Sequence, residues 1–262
     1  MQERGKWKGN FTLWSGGGGY VGTSSDTKVH AHHAIQLCFA LEGSFNLRSS
    51  PSRKWEAFSA ALVAPDAPHQ LDGSGHRIVL VYLDPESEAA SRIRTRFTDA
   101  AIQPVPVQTL SPLLEKIYTE AGPQADLIPL FNAMVTSLGG EASVPGSMDP
   151  RIAQATRLLN SSAEAIPTLR ELAQKVHLSP SRLGHLFRAQ TGLPLRCYRL
   201  WLRLRRALDA LNQTGSLTTA AHSAAFADSA HFSRTFRRMF GITPSELAVE
   251  RQTQPSRSYA PR

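Results

Sequence analysis

Residues 221–244, AHSAAFADSAHFSRTFRRMFGITP, constrain this chain more than any other stretch. Asp228 is a good N-cap ahead of a run in which Phe232, Phe236, Met239 and Phe240 recur at helical spacing, and Gly241 followed by Pro244 ends that run. Large apolar groups on one stripe must face inward, which turns Ala230, Ser233, Arg234, Arg237 and Arg238 outward. With the alanine-rich segment before it, the run reads as a short helix, a tight turn and a second helix lined by arginine and small side chains. That is a tool for the DNA major groove.

The same stretch resembles the signature of the AraC/XylS family of transcription regulators, A-x3-G-F-x5-F-S-R-x-F-x4-G-x2-P. Ala221, Phe226, Phe232, Ser233, Arg234, Phe236, Gly241 and Pro244 stand in register. Ala225 replaces the turn glycine of the pattern and Ala248 the arginine that commonly follows the final helix, so the turn puts an alanine where a positive φ is at issue. The resemblance implies two helix-turn-helix units joined by a long helix. Upstream, Thr168-Leu169-Arg170-Glu171 fits a capping box that opens a helix through Val176, and Ser179-Pro180 caps and starts the next. Leu183, Leu186 and Phe187 form its apolar stripe, opposite Ser181, Gly184, His185 and Arg188, with Arg182 at the edge. The Leu- and Arg-rich run from Leu195 to Leu211 is the expected connecting helix. By the resemblance, Ser181, Gly184 and His185, with Ser229, Ala230 and Arg234, are the base-reading candidates. Arg182, Arg188, Ser233, Arg237 and Arg238 complete the candidate DNA-binding set.

Charge divides the chain in the same way. Residues 149–249 carry 14 Arg and Lys against 6 Asp and Glu, residues 1–148 carry 12 against 14, and the tail 250–262 carries 3 against 1. Basicity concentrated in the helical half favours phosphate binding through counterion release. For Arg199, Arg203, Arg205 and Arg206 on the connecting helix, plain solvation of a helix face is an equal alternative.

The first 105 residues have another character. Short β-prone runs (Phe11–Trp14, Ile35–Leu41, Ala60–Ala64, Arg77–Leu83) alternate with Gly, Ser, Pro and Asp clusters, which predicts a small antiparallel barrel or sandwich. Gly16–Gly19 lacks the following helix and Lys-Ser/Thr of a phosphate cradle and reads as a flexible hairpin loop. From Thr109 to Leu138 apolar residues return at helical spacing, interrupted near Gly122-Pro123: a helical pair packed on the barrel or on another subunit. The expected division is a sensor and association domain at 1–140, a linker at 141–148, a DNA-binding domain at 149–249 and a disordered tail at 250–262. The fold class expected is multidomain: a C-terminal all-α double helix-turn-helix domain and an N-terminal all-β barrel with a helical appendage, cupin-like by the resemblance of its His30, His32, Gln36 and His69 to that family's motifs.

One constellation stands out in the barrel region. Residues of equal parity share a strand face, so His30, His32 and Gln36 point one way and Ile35, Leu37, Phe39 and Leu41 the other. The spacing, with Gly43 beyond, resembles the first cupin motif H-x-H-x3-E-x6-G with Gln36 in place of the carboxylate. His69, in Pro65-Asp66-Ala67-Pro68-His69, resembles the histidine of the second motif. The glycine before the first histidine and the P-x-G-x2-H order are not reproduced. Three imidazoles and an amide oxygen suit one divalent transition metal; histidine contacts to an organic effector, and histidines that merely fill the pocket mouth, are the other two readings. His33 has the opposite parity and points away, and His76 reads as solvated. Trp7, Trp14, Trp55 and Tyr82 are assigned to packing ahead of pocket lining.

Cys38 and Cys197 are the chain's two cysteines, which fits a reducing cytoplasm, and no apolar run approaches the roughly 20 residues of a membrane span. No Ser/His/Asp triad, P-loop or dinucleotide fingerprint is present, so a non-enzyme is expected. The resemblance implies double-stranded DNA and a small-molecule or metal effector as partners, with RNA polymerase and a second copy of the chain as further candidates. Two alternatives stay open: a cupin metalloenzyme fused to a basic DNA-binding domain, and a constitutive DNA-binding protein without effector.

Overall fold

A computed structural model describes residues 7–14, 16–93, 100–122, 125–139, 148–161 and 166–249. The expected linker, save Met148, and the tail 250–262 lie outside these residues. The N-terminal part is built from β1 (Trp7–Trp14), β2 (Gly17–Thr23), β3 (Ile35–Ala40), β4 (Phe45–Arg48), β5 (Glu56–Phe58), β6 (Ala60–Val63), β7 (Gln70–Asp72), β8 (Arg77–Leu83) and β9 (Ile102–Pro104). They form a seven-stranded sheet, which β10 (Leu247–Val249) joins at its edge in the order β10-β1-β2-β8-β3-β6-β9, and a three-stranded sheet, β5-β4-β7. Alternation along β3 sorts its side chains as expected. Cys38 joins a core with Phe45, Leu47 and Leu71 of the small sheet, while Ile35, Leu37 and Phe39 join one covered by α1 (Glu88–Ile93), α2 (Ser111–Glu120) and α3 (Ile128–Leu138).

The glycine run is not a flexible loop. Gly16 turns at φ 85°, and Gly17–Gly19 open the buried strand β2 between β1 and β8. A Cβ on Gly19 would run into the Phe131 ring, so the missing side chain lets α3 pack on the sheet.

The C-terminal part comprises α4 (Pro150–Ser161), α5 (Leu169–Lys175), α6 (Pro180–Thr191), α7 (Leu195–Thr214), α8 (Leu217–Ser223) and α9 (Ser229–Phe240), and it ends in β10 (Leu247–Val249). α5–α6 and α8–α9 are the two helix-turn-helix units. Their turns repeat bond for bond: His177 N donates to Gln174 O (3.2 Å) and Leu178 N to Ala173 O (2.9 Å), as Ala225 N does to His222 O (3.0 Å) and Phe226 N to Ala221 O (2.8 Å). Each turn passes through the left-handed region, at His177 (φ 54°) and Ala225 (φ 57°). Ala225 therefore does hold the backbone angle that a glycine adopts without strain. Arg203 of α7 secures that turn, donating from Nε to Ala224 O (2.9 Å) and from Nη2 to Ala225 O, with its guanidinium 4.4 Å over the Phe226 ring.

Several ties join the halves, two of them at the large sheet. β10 pairs in parallel with β1, Trp7 opposite Leu247 and Gly9 opposite Val249, so the end of the helical half supplies the sheet's edge strand. The second tie is Asp84, just beyond β8 and 2% exposed. Its Oδ1 accepts from Trp201 Nε1 (2.8 Å) and its Oδ2 from Arg205 Nη1 (2.5 Å), while Arg205 Nη2 donates to Trp14 O (2.5 Å). Arg199 Nη2 likewise donates to Ile166 O (3.2 Å). At least three arginines of α7 thus brace the protein itself.

Two substitutions test this framework by urea unfolding. Asp84→Asn keeps an acceptor for Trp201 but strips a largely buried guanidinium of its counter-ion, and should cost about 3–5 kcal/mol. A loss below about 1 kcal/mol would place the pair with ordinary surface bridges. Ala225→Gly should stabilise the protein by about 0.5–1 kcal/mol, because relief of left-handed strain exceeds the added freedom of the unfolded chain; unchanged or lowered stability would show that Arg203 already offsets the strain.

Candidate nucleic-acid interface and buried histidine cluster

Each outward helix is started by a side chain that satisfies an orphan backbone N–H. Ser179 Oγ accepts from Arg182 N (3.2 Å) with Pro180 at the first helical position, and Asp228 Oδ1 accepts from His231 N (2.6 Å). The preceding helices are capped by Thr168, in a full capping box with Glu171, and by Ser216. Both outward helices stop at a left-handed glycine, Gly192 (φ 79°) and Gly241 (φ 72°).

The faces fall as the periodicity predicts. In α6 Leu183 and Phe187 are buried and Leu186 is half-buried, while Ser181, Arg182, His185 and Arg188 are exposed and Gly184 is half-buried. In α9 Phe232, Phe236 and Phe240 are buried, their rings following one another along the helix at 5.9 Å (edge to face) and 4.6 Å (tilted), with Met239 half-buried. Ala230, Arg234, Arg237 and Arg238 are exposed; Ser229 and Ser233 are half-buried at the edge. Two helices thus present guanidinium and small polar groups outward from one scaffold.

The second site lies where the halves meet. His30 and His32 precede β3 rather than lying in it, and His30 is bridged to His69 by paired backbone hydrogen bonds of 3.0 and 2.9 Å. All three imidazoles are buried, and one ring nitrogen of each lies within 4.8 Å of the others. Each Nδ1 sits against a carbonyl oxygen: His30 on Lys28 (2.8 Å), His32 on Ala34 (3.1 Å) and His69 on Ala67 (2.9 Å). Gln36 completes the group, its Oε1 2.7 Å from His32 Nε2 and 3.2 Å from His69 Nε2, and its Nε2 donates to Cys38 Sγ (3.0 Å). Burial, reinforced by the neighbouring rings, holds His30 down at about 3 and His69 well below the ordinary imidazole value; burial also lowers His32. The cluster is therefore neutral at pH 7. Burial pushes the Cys38 thiol up to about 12, which removes it as a redox nucleophile.

His33 points away, as its parity predicts. Burial opposes its charge, but Asp66 (3.0 Å to Nδ1) and Glu86 (2.8 Å to Nε2) outweigh that and raise it to about 9. His76 is exposed. Trp7 and Tyr82 do line a cavity, Trp14 stacks on Phe131 at 5.6 Å, and Trp55 lies under Arg48 with 38% exposure. That cavity, about 40 Å³, is lined from the sheets by His30, Gln36 and Tyr82 and from the helical half by Phe236, Phe240 and Ile242. The contacts with the helical half were not visible in the sequence. They depend on Lys28 N donating to Gly241 O (2.9 Å), a bond between loops far apart in the chain.

Residues 172–249 match the family described as a helix-turn-helix domain. The chain is 36% identical over 108 residues to the HTH-type transcriptional regulator ArgR of Pseudomonas aeruginosa, covering 41% of this chain and 33% of that protein. It is 36% identical over 102 residues to the arabinose operon regulatory protein of Escherichia coli, covering 38% of this chain and 35% of that one. The chain thus spans about a third of the length of these curated relatives. Over nearly its whole length its fold is similar to that of apo ToxT from Vibrio cholerae, with TM-score 0.57 at 11% identity, covering 90% of this chain and 97% of the other. Among the described residues no helix is long and apolar enough to cross a membrane. What the comparisons show for this chain is thus a helix-turn-helix domain over residues 172–249, similar to part of these transcription regulators.

Proposed function

We propose that the chain is a sequence-specific DNA-binding transcription regulator, with residues 149–249 reading the duplex and residues 1–140 sensing a small effector. The observation that carries this reading is the pair of capped, outward-facing helices α6 and α9, whose exposed Arg182, Arg188, Arg234, Arg237 and Arg238 belong to the half with the excess positive charge. The two helices would enter successive major-groove segments, about 34 Å apart along one face of the duplex. Ser181, Gly184, His185, Ser229, Ala230 and Ser233 are small or polar enough to approach base edges between the arginines.

Sensing is supported by the position of the histidine cluster and its cavity. Both lie against the C-terminal end of α9, so an occupant there touches the element that reads DNA. A solved ToxT is bound to an unsaturated fatty acid, so a chain of this fold takes up a small molecule. A metalloenzyme is disfavoured by the same geometry, because a cavity of about 40 Å³ beneath Phe240 has no room for a substrate beside an ion.

The test is binding by the whole chain to a duplex selected from a random pool. Affinity should fall steeply with salt, by about 0.9 log units per log unit of salt for each phosphate neutralised. Arg234→Ala should weaken the selected duplex by about 1–3 kcal/mol and relax preference at one base pair; equal losses on selected and random DNA would make Arg234 a phosphate contact. Phe236→Ala should act through folding instead, costing about 3–5 kcal/mol. Failure to enrich any duplex over the random pool would overturn the reading.

A further inference from the structure

We propose that the cleft between the segment joining β8 to α1 and the helices α4 and α7 binds a small primary amine in its ammonium form, and that the occupant holds the two halves in the packing that leaves α6 and α9 exposed. The second part rests on the regulator reading above; the site itself does not.

The cleft has a volume of about 540 Å³, within the range that small-molecule sites occupy, against about 40 Å³ beside the histidines, and no residue lines both. Asp84, Glu86 and Glu88 line it from the N-terminal part, and Thr156, Asn160 and Tyr198 from the helical half. Two of these side chains carry buried atoms that nothing among the described residues satisfies. The Glu86 side chain is 4% exposed, and His33 Nε2 holds its Oε1 at 2.8 Å while its Oε2 has no partner. Thr156 Oγ1 is in the same position. A carboxylate oxygen only accepts, so whatever completes Glu86 must be a donor, and leaving it unmet costs the desolvation of a charged group. Charge narrows the class further. In a chain of net charge +8, three carboxylates and one guanidinium, Arg157, line this cleft among the described residues; the cations that meet the carboxylates, His33, Arg92 and Arg205, do not line it. Such a lining draws cations and repels anions. A metal ion is the weaker choice, because among the described residues these carboxylates belong to no group whose ligand atoms converge. An ammonium carries three donors and a full charge, enough to serve Glu86 Oε2 and Thr156 Oγ1 together.

An occupant here touches both halves and reaches the first outward helix in one step. The Tyr198 ring lies 6.2 Å from the ring of His33, which holds Glu86, and 5.4 Å, edge to face, from the ring of Phe187, the buried anchor of α6. Asn160 Nδ2 donates to the Tyr198 hydroxyl (3.1 Å). α4, which carries Thr156 and Asn160, is tied to α6 at its head, where Asp149 N donates to Gln190 Oε1 (2.9 Å). A ligand that bonds Glu86 on one wall and Thr156 on the other contributes its binding energy only while the walls stand together, so it favours this packing of the halves over any in which they separate. In this packing Arg182 and Arg188 of α6 and Arg234, Arg237 and Arg238 of α9 are exposed. The packing that the amine favours is therefore one that can read DNA, and affinity for the duplex should rise with occupancy.

The test titrates the whole chain, by calorimetry and thermal melting, with butylamine, benzylamine and diaminobutane. We expect one amine per chain and a raised melting temperature. Butanediol, the uncharged counterpart of diaminobutane, and butyltrimethylammonium, which has charge but no N–H, should bind at least tenfold more weakly than their amines. Glu86→Gln should weaken amine uptake by about tenfold or more. Should that variant fail to fold by circular dichroism, Thr156→Val gives a second readout: a methyl in place of the unmet hydroxyl should raise the melting temperature of the free chain and yet weaken the amine by about threefold to tenfold, which a merely structural threonine would not do. On the selected duplex, saturating benzylamine should tighten the wild-type Kd at least threefold and leave that of Glu86→Gln unmoved at the same concentration, which separates the site from any effect of the amine on DNA. No stoichiometric amine in wild type, butanediol bound as tightly as diaminobutane, or undiminished uptake by Glu86→Gln and Thr156→Val would each overturn the site. An amine that binds but leaves duplex affinity unmoved or lowered would overturn its hold on the halves. Stoichiometric amine with no duplex enriched in either state would overturn the regulator reading, and with it the second part, while upholding the site.

Discussion

The buried carboxylate of Asp84 is the contact on which the geometry of both halves depends. It neutralises Arg205 and accepts from Trp201, two residues of the same face of α7, and so fixes that helix against the sheet. α7 in turn carries the other anchors: Arg199 reaches the segment that leads into α5, and Arg203 reaches the turn between α8 and α9. One helix of about 30 Å therefore sets where both outward helices stand relative to each other and to the N-terminal sheets. A buried pair of this kind adds little net stability over apolar packing, but breaking it is costly, so its effect is to specify one docking geometry.

The apolar core between the sheets does not stop at the seam. It runs from Phe45, Leu47 and Leu80 through Trp201 and Leu208 to Phe236, Phe240 and Ile242 without a solvent layer. The histidines and Gln36 are the polar interruption of that core. Buried polar groups cost stability unless they are partnered, and here the imidazoles and the Gln36 amide are held against one another and against the carbonyls of Lys28, Ala34 and Ala67. His33 shows the contrasting solution one residue away: with Asp66 and Glu86 for partners, it is held charged rather than neutral.

Local chemistry was legible in the sequence wherever the determinant was local. Caps at Thr168, Ser179 and Asp228, the stop at Gly241, the buried stripe of α9 and the parity of β3 all follow from residues within one or two turns. The gathering of His69 with His30, His32 and Gln36 is not local in this sense, and only the resemblance to the cupin motifs put it within reach of the sequence. The failures share the opposite property. Gly17–Gly19 form a buried strand because Phe131, far along the chain, needs the space, and no local rule distinguishes that from a loop. Leu247–Val249 become a strand only because β1 offers an open edge. Arg203 and Arg205 look like solvated charge until the carbonyls and the carboxylate that they meet are known.

These long-range contacts also decide what kind of control the molecule can exert. An occupant of the junction cannot act by loosening a linker, since the halves share a sheet, a core and a buried ion pair. It must favour one packed arrangement over another, and it can do so only by the difference in its affinity for the two. The lever available is short: His30 and Lys28 on one side, Gly241 and Phe240 on the other, all within hydrogen-bond or ring-contact distance. Close-packed interiors do not yield smoothly to such a push. The backbone bond from Lys28 to Gly241 is the stiffest part of that lever, because it links main chain to main chain with no rotamer between them to give way, whereas the Phe240 and Tyr82 rings, 5.9 Å apart, meet only through side chains.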